Sequence, residues 1–135
     1  MHIAIRLGLL LGPTALAVAA CGPEETPSGE WALVAFASTG AGPTGGEEIT
    51  LQLGEDGAVS GKACNHYSGR AEVADHTIRF EPLQSTRMAC PEPVMADERL
   101  YFQALDRAER FRREGPVLEL LDAQGSLLLR FQARS

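Results

Sequence analysis

Cys64, His66, His76 and Cys90 carry the side chains best equipped for reactive chemistry, because two thiols and two imidazoles are a familiar donor set for a tetrahedral metal ion. Their spacing argues against that use. No Cys-x-x-Cys or His-x-x-x-His pair is present, and Cys64-x-His66 on a strand would put two donors on one face with little to complete a tetrahedron. A second chemistry is a nucleophilic Cys64 with His66 or His76 as base, and a third is hydrolysis through Glu98 and His66. Neither is joined by a Ser-His-Asp or paired-carboxylate constellation, so no catalytic, metal-binding or cofactor-binding residue is assigned, and neither enzymatic activity nor a cofactor is expected. The preferred reading of Cys64 and Cys90 is a disulfide, which requires that the chain leave the reducing cytosol and which would silence the thiols.

The first twenty residues supply that route. Met1 to Arg6 carry the only early positive charge, and Leu7 to Ala20 are apolar apart from Thr14, interrupted by Gly12-Pro13. This is the anatomy of a signal peptide, and the run is too short and too broken for a transmembrane helix. Leu16-Ala17-Val18-Ala19-Ala20-Cys21-Gly22 resembles the lipobox of bacterial lipoproteins, with Val18 where Leu is frequent. That resemblance implies that Cys21 is acylated and becomes the new N-terminus. The odd count of three cysteines then resolves, with Cys21 given to lipid and Cys64 and Cys90 left as a pair. Gly22 after the cysteine resembles lipoproteins sent to the outer membrane, so a lipoprotein facing the periplasm is expected. Residues 21–29, rich in Pro, Glu, Thr and Ser and without apolar periodicity, read as a flexible tether ahead of a domain over residues 30–135.

Charge narrows the partners. Twelve Lys plus Arg face eighteen Asp plus Glu, and residues 21–135 alone hold eleven bases, for a formal charge of −7. Nucleic acid is therefore not an expected partner. An anionic lipid surface would not attract the domain by charge either, so membrane attachment falls to the acyl chains on Cys21. The arginines Arg107, Arg110, Arg112 and Arg113, against Glu109 and Glu114, read as a solvated face.

From Trp31 onward the dominant period is two. Ile49 to Leu53, Ala71 to Val73, Ile78 to Phe80 and Leu127 to Phe131 alternate as half-buried strands. Trp31 to Phe36 and Val117 to Leu121 are apolar on more than one face. Short polar turns, most containing Gly, separate the strands, as hairpins require. Pro93 to Arg110 instead carries a helical stripe of Val94, Leu100, Tyr101, Ala104, Leu105 and Ala108, with Pro93 suited to its first turn. The fold class expected is mainly β, a β-rich α+β domain: a small antiparallel, barrel-like curled sheet of about seven to eight strands with one packed helix.

Two stretches are more specific. Gly61-Lys62-Ala63-Cys64-Asn65-His66-Tyr67-Ser68-Gly69 and Ser85-Thr86-Arg87-Met88-Ala89-Cys90-Pro91, followed by Glu98, Tyr101, Ala104 and Leu105, resemble the signature of the META domain, the HslJ-like heat-shock family. The start Gly29-Glu30-Trp31-x-Leu33 and the closing Leu127-x-Leu129-x-Phe131 fit as well, so the likeness covers about residues 29 to 133. Ala63 departs from it, standing where the family frequently has Gly. The resemblance implies a β-rich barrel with one helix, often on an exported lipoprotein and in some members tied to heat or antibiotic stress, and it implies no catalytic residues.

The motif residues have structural readings of their own. Asn65 suits a tight turn or left-handed backbone, and its amide can satisfy buried backbone groups. Gly61 and Gly69 read as bulges or bends. Thr86 and Met88 are expected to alternate with Arg87 on a strand leading to Cys90, which the disulfide would staple to the Asn65 turn. Asn65, Tyr67, Thr86 and Glu98 are read first as structural residues, with a partner-binding surface around the barrel mouth as the competing role. The function expected is that of a lipid-anchored, noncatalytic envelope protein that acts in stress tolerance by binding an envelope protein. The alternatives are a small-ligand-binding barrel and an inhibitor of a cell-wall hydrolase such as lysozyme.

Overall fold

The computed structural model describes Gly8, Gly12 and residues 25–134. Cys21, and the expected signal peptide apart from those two glycines, lie outside the described residues.

The alternating segments form strands β1 (Gly29–Phe36), β2 (Thr50–Leu53), β3 (Ala58–Lys62), β4 (His66–Ala74), β5 (Thr77–Phe80) and β6 (Gln84–Ser85). They are followed by helix α1 (Glu92–Arg107) and strands β7 (Arg110–Glu114), β8 (Val117–Leu121) and β9 (Leu127–Ala133). Every pairing is antiparallel, in the order β3-β2-β1-β9-β8-β7-β5-β4. Because β4 also pairs with β3, the sheet closes into an eight-stranded barrel, and the short β6 adds to β4 as an extra strand. The fold is thus the mainly β barrel with one helix that the alternation implied. Closure leaves few free edges.

The weakest seam lies between β5 and β7. They share the single pair Thr77↔Arg110, flanked by bonds from Ile78 N–H to Glu109 O (3.1 Å) and from Phe111 N–H to His76 O (3.0 Å). Beyond that point α1 packs against β5 and β9. Inward residues of all strands except β6 fill the interior, among them Trp31, Leu51, Ile78, Leu118, Leu120, Leu129 and Phe131, each at most 1% exposed. At roughly 1.5–3 kcal/mol for each such side chain, this core is the main support of the fold.

Several expectations needed correction. The segment Trp31 to Phe36, apolar on both faces, owes this largely to a register shift between Leu33 and Ala35 in β1, and a second shift between Leu120 and Leu121 of β8 places its extra residue, Leu128, in β9. An extra residue in β1 lets Trp31, Leu33 and Phe36 all face inward, which a strict period of two forbids. The helix ends at Arg107 rather than Arg110, since Ala108 is extended (ψ 127°) and Glu109 N–H bonds Leu121 O, drawing the chain into β7. Residues 86–90 are not a strand. The regular pairing stops at Ser85, and beyond one further backbone bond, from Thr86 N–H to His66 O (3.0 Å), the chain is held by side chains and the Cys90 disulfide.

Gly61 and Gly69 are neither bulges nor bends, because both sit in the regular β3–β4 ladder. They are small because of what lies over them. A Cβ on Gly61 would collide with Thr50 O and the Tyr67 ring, and one on Gly69 would come within 2.7 Å of Leu83 Cδ2.

Candidate functional site at the lidded end of the barrel

Strands β1, β3, β5 and β8 all run toward one end, where loops 37–49, 63–65, 81–91 and 122–126 gather. Helix α1 covers this end, and three of its side chains fasten it. Asp97, 5% exposed, accepts bonds from Gly45 N–H (2.8 Å) and Thr44 Oγ1 (3.2 Å). Glu98 accepts from Asn65 N–H (2.7 Å) and from Asn65 Nδ2 (3.1 and 3.3 Å). Arg107, near the C-terminus, pairs with Asp122 at 3.6 Å.

Asn65 is the hub. Its Oδ1 accepts from Met88 N–H (2.6 Å) and Thr86 Oγ1 (3.0 Å) while its amide nitrogen points to Glu98, so one side chain joins the β3–β4 turn, the 86–88 segment and the helix. It sits in a bend without positive φ, so the left-handed conformation is not what selects Asn there. The satisfied amide is. His66 N–H also bonds Thr86 Oγ1 (3.2 Å). Beside the hub Cys64 and Cys90 form a disulfide, with Cα atoms 6.1 Å apart. The bond removes both thiols from nucleophilic and metal chemistry. Among the described residues no group of three or more His, Cys, Asp or Glu is placed to hold a metal ion.

Tyr67 and Tyr101 meet beneath the helix with hydroxyls 2.5 Å apart, and Tyr67 Oη donates to Thr50 O at 2.6 Å, so Tyr101 is the donor of the pair. Phe102 and Phe131 pack on these rings. Burial pushes both phenols well above the usual tyrosine range. They are poor acids and bases at physiological pH and serve as a satisfied polar link across the core.

The fold therefore brings Asn65, Tyr67, Thr86, Met88, Glu98, Cys64, Cys90 and Gly61 to the lidded end, with Gly69 farther along β4. His66 and Glu98 both reach this end, but Glu98 is occupied by Asn65. Residues 84–89 line its surface and are exposed, Met88 at 48%. Sequence reasoning gave Asp97 no part in this site. Its place on the Val94, Tyr101, Leu105 stripe was the available signal, but an acid on an apolar stripe is normally discounted.

The opposite end has its own fastening, also missed. Pro27 is buried, and its carbonyl accepts from Trp31 Nε1 (2.9 Å). Arg113 donates to Thr26 O (2.8 Å) and Ser28 O (3.0 Å) and lies 4.9 Å over the Trp31 ring. Gly115 N–H bonds Glu25 Oε2 (2.9 Å). Residues 25–28, read as part of a flexible tether, are thus clasped to the barrel, and Arg113 is only partly solvated. Arg112 does lie on the outer face, where it and Arg130 both bond Glu119 (2.7 and 2.8 Å).

These features define the class: a small antiparallel β barrel lidded by one helix, with an Asn hub and an adjacent disulfide at the lidded end. The chain belongs to the META-domain family, whose model matches residues 24–135. Three solved structures are similar in fold. A protein from Burkholderia xenovorans solved by NMR is 28% identical, with a TM-score of 0.58 over 80% of this chain and 83% of that one. A second NMR structure is 20% identical, with a TM-score of 0.61 over 78% and 88%. A crystal structure of a duf4847 family protein from Bacteroides vulgatus is 16% identical, with a TM-score of 0.55 over 79% and 93%. Comparison with curated proteins finds no match.

Proposed function

We propose that this META-domain chain is an exported, lipid-anchored, noncatalytic protein of the cell envelope, placed on the outer membrane facing the periplasm, that supports stress tolerance by binding another protein there. The observation that carries the reading is the disulfide. Cys64 and Cys90 are joined to each other, which leaves Cys21, inside the lipobox-like stretch, as the remaining thiol. A disulfide fits an oxidising compartment, and the leader supplies the way there.

Protein binding is favoured over a carried small ligand because the barrel interior is occupied by its own side chains. It is favoured over catalysis because the groups with reactive potential are already engaged: the thiols in a disulfide, Glu98 with Asn65, the phenols with each other. The test is recovery of the chain from detergent-solubilised membranes, with Cys21→Ser as control. A specific envelope partner and an acylated Cys21 by mass spectrometry are expected. Recovery of background proteins alone would refute the binding role, and an intact Met1 with an unmodified Cys21 would refute the anchor.

A further inference from the structure

The clasp at residues 25–28 fixes where an anchored chain must leave the domain. Glu25, Thr26, Pro27 and Ser28 are held by Arg113, Trp31 and Gly115, at the end of the barrel opposite the helix. From Cys21 to Glu25 there are only four peptide links, which span at most about 14 Å however the chain runs. The two ends of the barrel are farther apart than that. β4 has nine residues, and a strand of that length tilted as in small barrels rises about 20–25 Å.

We propose that the clasp sets the orientation of the domain on the lipid surface: the 25–28 end is held toward the bilayer, and the lidded end, with residues 84–89 and helix α1, is held away from it, open to a partner. This rests on lipidation of Cys21, as proposed above. Four residues cannot reach around the barrel, so the lidded end cannot be turned to face the bilayer with the clasp end away from it while the clasp is closed. Opening the clasp would lengthen the free chain to the eight links from Cys21 to Gly29, about 28 Å, enough to remove the constraint. Glu25, Glu55, Asp56 and Asp75 at or near the lipid-facing end argue against adsorption onto anionic headgroups, leaving the short covalent tether as the determinant of orientation.

The experiment uses the full lipidated chain, purified from membranes and reconstituted in vesicles of phosphatidylethanolamine and phosphatidylglycerol containing a headgroup-labelled acceptor lipid. A donor dye is attached through a clickable amino acid replacing Glu55 in the β2–β3 turn or Gln124 in the β8–β9 turn, both exposed. Energy transfer several-fold stronger from position 55 than from position 124 is expected. Two variants should shrink that ratio toward one: Arg113→Ala, which opens the clasp, and an insertion of about eight Gly and Ser residues between Glu24 and Glu25, which lengthens the reach and leaves the domain intact. Equal or reversed transfer in the unaltered chain, with the protein floating with the vesicles, overturns the orientation. An unmodified Cys21 and a chain that does not float overturn the anchor itself, and the orientation with it.

Discussion

At the lidded end the closing contacts run from helix side chains to loops at positions 45, 65 and 122, whereas at the clasp end one arginine holds carbonyls 85 and 87 residues away. Asp97 and Glu98 are acids with little or partial exposure, each taking two or more donors, and the disulfide adds a covalent bond across the same end. Arg113 and Glu25 at the other end are more exposed, with side chains at 27% and 49%. Burial makes the difference. A polar group shut away from water loses heavily when its partner goes, while an exposed one regains water. The lidded end is therefore expected to be the stable closure and the clasp the one that opens first.

The sharpest break of this comparison is the double change Cys64→Ser and Cys90→Ser. Losing a bond across 26 residues of separation should lower stability by about 3–4 kcal/mol in a urea titration. A loss no larger than that from Arg113→Ala would show that the two ends are equivalent. Asn65→Ala comes next, at about 2–3 kcal/mol, because it strips Met88 N–H and part of Glu98 of their partners in a site that is 4% exposed. Arg113→Ala should cost less, about 1–2 kcal/mol, through two carbonyl bonds and the contact with Trp31. As the only tryptophan, Trp31 should report this change by a shifted fluorescence that Asn65→Ala does not produce.

The finest test is alkaline titration. Tyr67 and Tyr101 are the only tyrosines, and burial holds both phenols protonated above the ordinary value of 10.0. The unfolded chain then loses protons before the folded one, so stability is unchanged below that pH and falls as pH rises beyond it. Tyrosinate absorbance should appear together with loss of β-sheet circular dichroism. Ionisation of either ring at the ordinary pH in the folded protein would show the lid to be looser than described.

Legibility followed the same division. The strands around Leu51, Ile78, Leu118 and Leu129 were evident because alternation is a local signal, and the helix because its stripe and Pro93 are local too. β3 and β7 were not: β3 is crossed by Gly61, and β7 is Arg110–Glu114, an arginine-rich run whose inward residue is Phe111. Of the site, Asn65, Glu98 and the cysteines stood out through the family motif. Asp97 and Arg113 have no such mark, since an acid on a helix and an arginine near a turn look the same whether they are solvated or engaged.

Residue by residue, the chain itself determined its alternating strands, the helix of its barrel domain, its paired cysteines and its membership of the META-domain family. Those depend on periods of two and 3.6 and on short motifs, which survive without knowledge of neighbours. Only the tertiary structure decided that β3 meets β4 to close the barrel, that Asn65 and Glu98 share their hydrogen bonds, and that Arg113 reaches back to Thr26 and Ser28. Each of these joins groups far apart in sequence or depends on how the sheet curls, and no local pattern encodes where a curled sheet brings its ends together.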